Sequence, residues 1–418
     1  MTSTLSDQAL VIARVEPLTR TRAVRGPFDY RLGADQRHAK VGALLRIPFG
    51  GRSTLGIVVG LARESGLAPD RLAEPESVLA GGLPEDLVEL ALWMAAEYCS
   101  TPARALGLML APGAAKGARS RQLLVAELAD AGIEALDGDG RLTEGQRAVL
   151  ELLRRHGPAV AAELGTPVLR RLERRGLVTL ALRAHRRRPA QAAVGARAAS
   201  APRLTDDQQA ALREVLEALR ARQNERFLLH GVTGSGKTEV YLRAVETTLA
   251  AGRDAIVLVP EIGLTPQALG RFEARFGDVV AVLHSALGQG ERYDEWERLR
   301  SGAARVCVGP RSAVFAPLRD IGLIVVDEEH DGSYKHEGDP RYDARTVAVR
   351  RAQRHGAVLL SGSATPRPES VAQLRRLRLP SRIDGRPLPP VEVLDMRGQH
   401  HPLHPRTRMA LADVRRGD

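Results

Sequence analysis

The eight residues GVTGSGKT, from Gly231 to Thr238, follow the apolar run FLL at 227 to 229 after the single residue His230, and that order leaves few alternatives for the local fold. A G-x-x-x-x-G-K-T loop between a strand and a helix turns successive backbone N–H groups inward, where they cradle phosphate oxygens at a helix N-terminus. Gly231, Val232, Thr233, Gly234, Ser235 and Gly236 form the cradle. Lys237 neutralises the outer phosphates and Thr238 offers a hydroxyl to Mg²⁺. A second run, LIVVDEEH from Leu323 to His330, ends an apolar strand on carboxylates. Asp327 is expected to share the metal with Thr238, and Glu328 to act as the base for water. A glycine-rich turn beside a buried strand is the plainer reading of the first run alone. The second acidic strand end favours a nucleotide site.

The surroundings fit such a site. From Leu204 onward, FLLHG, IVLVP, VVAVLH, ARVCVG, LIVVDE and AVLLSGS alternate with helical stretches such as EVYLRAVETTLAAG. Short apolar runs of this kind are strands of a mainly parallel α/β sheet covered by helices on both faces. Nucleotide chemistry belongs at the carboxyl ends of those strands. Upstream, residues 11 to 61 are short apolar runs broken by Gly and Pro, which predict a small antiparallel barrel or curled sheet. Residues 84 to 98 carry a helical period with Pro84 near the start, and Leu92, Trp93 and Tyr98 are packing residues there. Ala111 to Ser120 is a linker by composition.

Residues 143 to 180 predict two or three short helices followed by a strand, with Thr143 as a cap and LVTLAL as the edge of a wing. Arg170, Arg171, Arg174 and Arg175 line the second long helix. Two readings stand for them, a solvated helix face or a DNA-contacting one. Residues 184 to 203 are a basic, alanine-rich linker that has the charge to follow phosphates.

The chain has 418 residues, enough for two to four domains. Its 61 Lys and Arg against 50 Asp and Glu leave a net charge of +11, which favours a polyanionic partner. Aromatic residues are only 3%, so the cores must rest on Leu, Val and Ala. Cys99 and Cys307 are expected to be buried small hydrophobes and not a disulfide or metal pair. The start MTSTLSDQ has no signal-peptide pattern and no apolar span of about 20 residues follows, so a soluble cytoplasmic protein with no membrane partner is expected.

The whole chain resembles the amino-terminal part of the bacterial replication-restart helicase family, primosomal protein N′. The motifs that carry the resemblance are LTDDQQ (204 to 209), GVTGSGKTEVY (231 to 241), LVPEIGLTPQ (258 to 267) and HSALGQGERYDEW (284 to 296). GPRSAVFAPL (309 to 318), DEEHDGSYKHEGDPRYDAR (327 to 345) and GSATPRPES (362 to 370) continue in the family's order. The resemblance implies ATP and Mg²⁺ as ligands and a superfamily-two helicase lobe in which Gln208 reads the adenine and Glu328 polarises water. FDY at 28 to 30 and IPFG at 47 to 50 look like the family's domain for the 3′ end of a nascent strand, with Phe28, Asp29 and Gly50 lining the pocket.

It implies four parts: a 3′-end DNA-binding domain at 8–112, a winged helix at 121–188, an ATP-binding lobe at 201–380, and a connector at 381–418 toward a second lobe. The implied partners are forked and single-stranded DNA with a 3′ end, single-stranded DNA-binding protein, and primosome or helicase-loading proteins. Two departures stand out. Ala73 and Glu74 replace a basic residue, and Pro310 replaces a polar residue ahead of Arg311 and removes a backbone N–H.

The loop after DEEH holds Tyr334, Lys335, Arg341 and Tyr342. Their clustering beside the catalytic acid predicts a sensor that couples DNA contact to the ATP site by stacking and phosphate attraction; a solvent loop pinned by two tyrosines is the plainer reading. Arg311 is a further expected DNA contact. The family's second lobe, with its paired zinc-binding cysteine clusters and its arginines that complete hydrolysis, has no counterpart here. With two cysteines, no structural zinc is expected.

Loss of an arginine finger costs roughly three or more powers of ten in turnover. The rival readings are therefore a non-enzymatic fork or 3′-end DNA-binding protein with an incomplete motor, and an ATP-dependent regulator whose partner is a protein. This chain alone is expected not to unwind duplex DNA processively, because translocation needs two lobes closing across the nucleotide. A strand-displacement assay on forked DNA with excess ATP, with and without an added second lobe, checks this; robust unwinding by the chain alone overturns it.

Overall fold

A computed structural model describes residues 11–19, 21–24, 26–113, 121–138, 141–185, 202–263, 265–385 and 391–414. Its first unit is the predicted antiparallel sheet. Strands β1 (Ile12–Pro17), β2 (Phe28–Arg31), β3 (Leu44–Phe49), β4 (Arg52–Ala62) and β5 (Ser77–Leu79) lie in the order β2-β1-β4-β3-β5. Phe49 pairs with Arg52 across a two-residue turn, Gly50-Gly51, whose φ angles of +57° and +73° require glycine. Helix α1 (Glu85–Glu97) begins after Pro84 and buries Leu87, Val88, Leu90, Ala91, Met94 and Ala95 along one stripe. Leu92 stays exposed, while Trp93 and Tyr98 form an edge-to-face pair at 6.2 Å. Helix α2 (Pro102–Met109) is capped by Thr101, whose side chain accepts the N–H of Arg104. Cys99 corrects an expectation: it is exposed, with φ +49° in the turn after α1, whereas Cys307 is buried as predicted. The left-handed turn sends the Cys99 side chain away from the apolar stripe.

The next unit contains β6 (Arg121–Leu128), α3 (Asp130–Asp137), α4 (Glu144–His156), β7 (Ala159–Val160), α5 (Ala161–Leu164), α6 (Thr166–Arg174) and β8 (Val178–His185). Its strands pair antiparallel in the order β7-β6-β8. Thr143 closes a capping box with Gln146 at the start of α4. Leu169 and Leu172 of α6 enter the local core, and Arg170, Arg171, Arg174 and Arg175 are exposed. Strand β6 and helix α3 were not anticipated, since LLVAEL satisfies helical and strand patterns alike. Most of the basic linker at 184 to 203 and the end of the 111 to 120 linker lie outside the described residues.

The last unit is a parallel sheet of seven strands. After α7 (Asp206–Arg220) come β9 (Arg226–Gly231), α8 (Lys237–Ala250), β10 (Asp254–Leu258), α9 (Pro266–Phe276), β11 (Val280–Val282), α10 (Gln289–Ser301), β12 (Val306–Gly309) and β13 (Ile321–Val326). There follow α11 (Ala344–His355), β14 (Val358–Ser363), α12 (Pro368–Gln373), β15 (Arg375–Leu379) and α13 (Pro405–Val414). The strand order is β11-β12-β10-β13-β14-β9-β15. Six strands are the apolar runs read from sequence. The seventh, β15, is RRLRL: an edge strand with its three arginines exposed, and its charge hid it.

One apolar core joins the first unit to the last. Leu87, Met94, Leu106 and Met109 pack with Trp296, Leu299, Phe315, Tyr334, Tyr342 and Val347. At its edge the Arg351 guanidinium, 2% exposed, reaches Asp86 of α1 at 2.9 Å and donates to the carbonyls of Val314 and Ala316. His355 meets the same carboxylate at 3.2 Å. Burial by itself would raise the Asp86 carboxyl, but the His355 hydrogen bond and the Arg351 charge outweigh it and hold the group below its ordinary value.

A carboxylate lowered in this way stabilises the fold above its unfolded value of about 3.9 and loses that contribution as pH falls through the folded value. Asp86→Ala should therefore lower stability in urea unfolding by about 3 kcal/mol at neutral pH, because it strands a buried charge. The gap to wild type should shrink as the pH is taken below about 4.

Candidate nucleotide site

The phosphate loop leaves β9 at Gly231 and enters α8 at Lys237. Gly234 and Gly236 have φ of +81° and +77°, conformations open to glycine, so the sequence pattern is also a backbone requirement. Gly236 is crowded as well, since a Cβ there would come within 2.4 Å of both Gln208 and Ile383. Gln208, 2% exposed, accepts the N–H of Thr205 at 2.9 Å and donates to the Ser235 carbonyl at 2.8 Å. It closes the capping box of α7 and ties that helix to the loop. Lys237 donates to the Gly231 carbonyl at 3.1 Å and lies 3.6 Å from a Glu328 oxygen. Val232 donates to the Leu379 carbonyl, and Thr233 is exposed.

Asp327 and Glu328 follow β13, two strands from β9 in the sheet. Tyr241 of α8 donates to Asp327 at 3.0 Å. Burial is the main cause that raises the Asp327 carboxyl above its ordinary value, and the neighbouring Glu328 adds to it. Burial likewise drives the Tyr241 hydroxyl well upward, so it remains a donor. Glu328 has φ +43°, a left-handed conformation that costs a non-glycine residue about 1–3 kcal/mol. It is held there from both sides: Asp327 N–H donates to the Leu258 carbonyl and Glu329 N–H to the Gly362 carbonyl, each at 2.9 Å.

Thr238, Tyr241, Asp327, Glu328, His330 and Asp331 line one cavity of about 350 Å³. A nucleoside triphosphate with Mg²⁺ fits these residues. Two left-handed glycines open the cradle, Ser235 Oγ is buried with no partner among the described residues, and Thr238 and Asp327 share the cavity.

Several contributors carried no role in the sequence reading. His330 meets Ser363 Oγ at 2.7 Å, and Ser363 Oγ also accepts the Thr365 N–H. Glu329 accepts from Arg367 N–H and Ser370 Oγ, and Arg345 donates to the Glu329 carbonyl at 2.6 Å. The runs DEEH and GSAT were visible, but their pairing needs β13 and β14 to be neighbours. Tyr241 bears on Asp327 only because α8 crosses the sheet there; Gly362 must lack a Cβ to admit its hydroxyl.

The candidate DNA residues fall in three places. Phe28, 36% exposed, stacks edge-to-face on Phe49 at 5.0 Å, and Phe49 immediately precedes Gly50. Asp29 accepts from Ser65 Oγ at 2.6 Å. Of the departures noted above, Glu74 pairs with Arg31 at 2.9 Å. On α6, Arg170 pairs with Glu173 at 2.9 Å.

In the loop after the acids, Lys335 and Arg341 are exposed, but Tyr334 and Tyr342 are 0% and 2% exposed. The expected stacking surface is therefore not presented by these two rings. They belong to the apolar core, where the Tyr334 hydroxyl shares its one proton between the carbonyls of Asp327 and Leu258 and Tyr342 packs on Phe315. Burial pushes the Tyr342 hydroxyl up to about 12. Arg311 donates to the Ser333 carbonyl at 3.1 Å and so fastens this loop.

Comparison with known proteins agrees with this layout. Residues 205–374 match the DEAD/DEAH box helicase family and residues 17–111 the 3′ DNA-binding domain (3′BD) family. The replication restart protein PriA of Bacillus subtilis (strain 168) is 34% identical over 90% of this chain and 56% of that protein. Its counterpart in Synechocystis sp. is 44% identical over 63% of this chain and 33% of that protein. In Treponema pallidum (strain Nichols) the figures are 48%, 44% and 29%. The chain thus spans about half the length of the Bacillus relative. It is a homologue of the bacterial PriA replication-restart helicases and carries both of their characteristic domains, the 3′ DNA-binding domain and the DEAD-box domain.

Proposed function

We propose that this chain is the ATP-binding and DNA-binding part of a superfamily-two 3′-to-5′ DNA helicase that recognises forked DNA during replication restart and primosome assembly. The observation that carries this reading is the convergence of Lys237, Thr238, Asp327 and Glu328, with a Lys237–Glu328 separation of 3.6 Å, in a PriA homologue. Thr238 and Asp327, which line the same cavity, would hold Mg²⁺, and the ion would supply charge neutralisation at the phosphates. Lys237 adds a fixed positive charge on the outer phosphates, and Glu328, locked by its backbone, accepts a hydrogen bond from the attacking water and directs it. Gln208, the proposed reader of the adenine, also fixes the loop through its amide.

The proposed division is a 3′-end domain at 8–112, a winged helix at 121–188, lobe one at 201–380 and a connector from 381. In the first, the exposed Phe28 ring, packed on Phe49 ahead of Gly50, offers an apolar face to a terminal base and Asp29 an acceptor to the 3′ hydroxyl of that nucleotide. Arg170, Arg171 and Arg174 lie on one exposed face of α6, Lys335 and Arg341 are exposed on the loop beyond the acids, and Arg311 bonds to that loop at Ser333. The partners follow: forked and single-stranded DNA with a 3′ end, single-stranded DNA-binding protein, and primosome or helicase-loading proteins, in the cytoplasm. No helix among the described residues is long and apolar enough to cross a membrane.

Fluorescent-nucleotide titration should show saturable, Mg²⁺-dependent ATP binding that Lys237→Ala weakens about tenfold or more; an unchanged isotherm removes the assignment. Binding to forked DNA should weaken steeply with added salt as phosphate contacts release counterions. Phe28→Ala should cost a fork with an accessible 3′ end about 1–3 kcal/mol, the scale of one base–aromatic stack, and leave plain duplex nearly untouched. Equal losses on both DNAs would return Phe28 to the packing of β2.

A further inference from the structure

The segment that follows β15 folds back over the phosphate loop. Val232 N–H donates to the Leu379 carbonyl, and four residues later Ile383 N–H donates to the Gly234 carbonyl at 3.0 Å. The Ile383 side chain lies against Gly236 from the side of Gln208, and the Arg382 side chain lies against Gly234. Ile383 is nevertheless 60% exposed, a large apolar side chain beside the phosphate loop. The Arg382 Nε–H is buried with no acceptor among the described residues, and a guanidinium can only donate.

Sheet order gives this segment its place relative to a nucleotide. The acids end β13, the phosphate loop ends β9, and β15 is the edge strand on the far side of β9, in the order β13-β14-β9-β15. The terminal phosphate must lie toward Lys237 and Glu328, so the rest of the molecule extends the other way, toward the end of β15. Three strand spacings of about 4.8 Å give roughly 14 Å, the extent of a nucleoside triphosphate from its last phosphate to its base. Gln208 is 2% exposed and its amide is engaged with Thr205 and Ser235, which leaves the exposed wall to its neighbours.

We infer that Ile383 and Arg382 form the nucleoside side of the site, Ile383 supporting the face of the base and Arg382 donating to a nucleotide oxygen. This rests on the nucleotide-binding reading above and adds to it the residues that separate a nucleotide from a bare polyphosphate.

The test compares Mg²⁺·ATP with Mg²⁺·tripolyphosphate by calorimetry on the full chain, for wild type, Ile383→Ala and Arg382→Gln. Ile383→Ala should weaken ATP about tenfold, the scale of one apolar side chain's contact, and leave tripolyphosphate within about twofold. Arg382→Gln should also weaken ATP more than tripolyphosphate. Equal loss of both ligands would show a segment that only props the loop, and tighter binding of both would show a strap that obstructs it; either overturns the inference and leaves the nucleotide site standing. Unchanged ATP affinity in both variants overturns it as well. If neither ligand saturates the wild-type chain, the nucleotide site itself falls and the inference with it.

Discussion

The apolar core shared by α1, α2 and the parallel-sheet unit is the constraint on which the rest of the molecule depends. With aromatic residues at 3%, bulk must come from few large side chains, and they are concentrated at this seam: Trp296, Phe315, Tyr334 and Tyr342 all meet aliphatic residues of α1 or α2, or the shell around them. Apolar burial on this scale resists separation of the two units, and the interface is also specified by polar contacts. Arg351 satisfies its donors with Asp86 and two backbone carbonyls, so a shift of α1 along the lobe would strand a buried charge.

The same seam reaches Asp327 and Glu328. The loop from Asp331 to Asp343 starts beside Glu328, and its Tyr334 hydroxyl holds the carbonyls of Asp327 and Leu258. At its far end Asp339 receives donors from Arg22, from Ser100 at 2.5 Å, and from Arg104, all in the first unit. Asp343 N–H donates to the Tyr98 hydroxyl at the end of α1. One short loop is thus bonded at one end to the backbone that carries the acids and at the other to the unit matching the 3′ DNA-binding domain family. Its two buried tyrosines serve this as braces, since a ring with no exposed face can transmit position but cannot stack on a base.

Within the lobe, strain and support are placed together. Glu328 is held at a positive φ by flanking hydrogen bonds to β10 and β14, and Asp327 keeps a carboxyl raised by burial beside a tyrosine donor. Both features cost stability. A divalent cation would relieve the second by offsetting the carboxylate's charge.

Much of this was legible in the residues alone. The phosphate loop, the acidic strand end and six of seven parallel strands announce themselves because a loop that bends backbone N–H groups inward needs glycine at fixed positions, and strands covered on both faces need unbroken apolar runs. The cap at Thr143, the α1 stripe around Leu87 and Met94, and the burial of Cys307 follow from equally local rules. The sequence could not show that β15 is a strand, because an edge strand carries charge as readily as a loop does. Nor could it show that Tyr334 and Tyr342 point inward, that Cys99 points out, or that His330 meets Ser363. Those outcomes depend on which elements become neighbours, and neighbours far apart in the chain are chosen by the packing of the whole core and not by any local pattern.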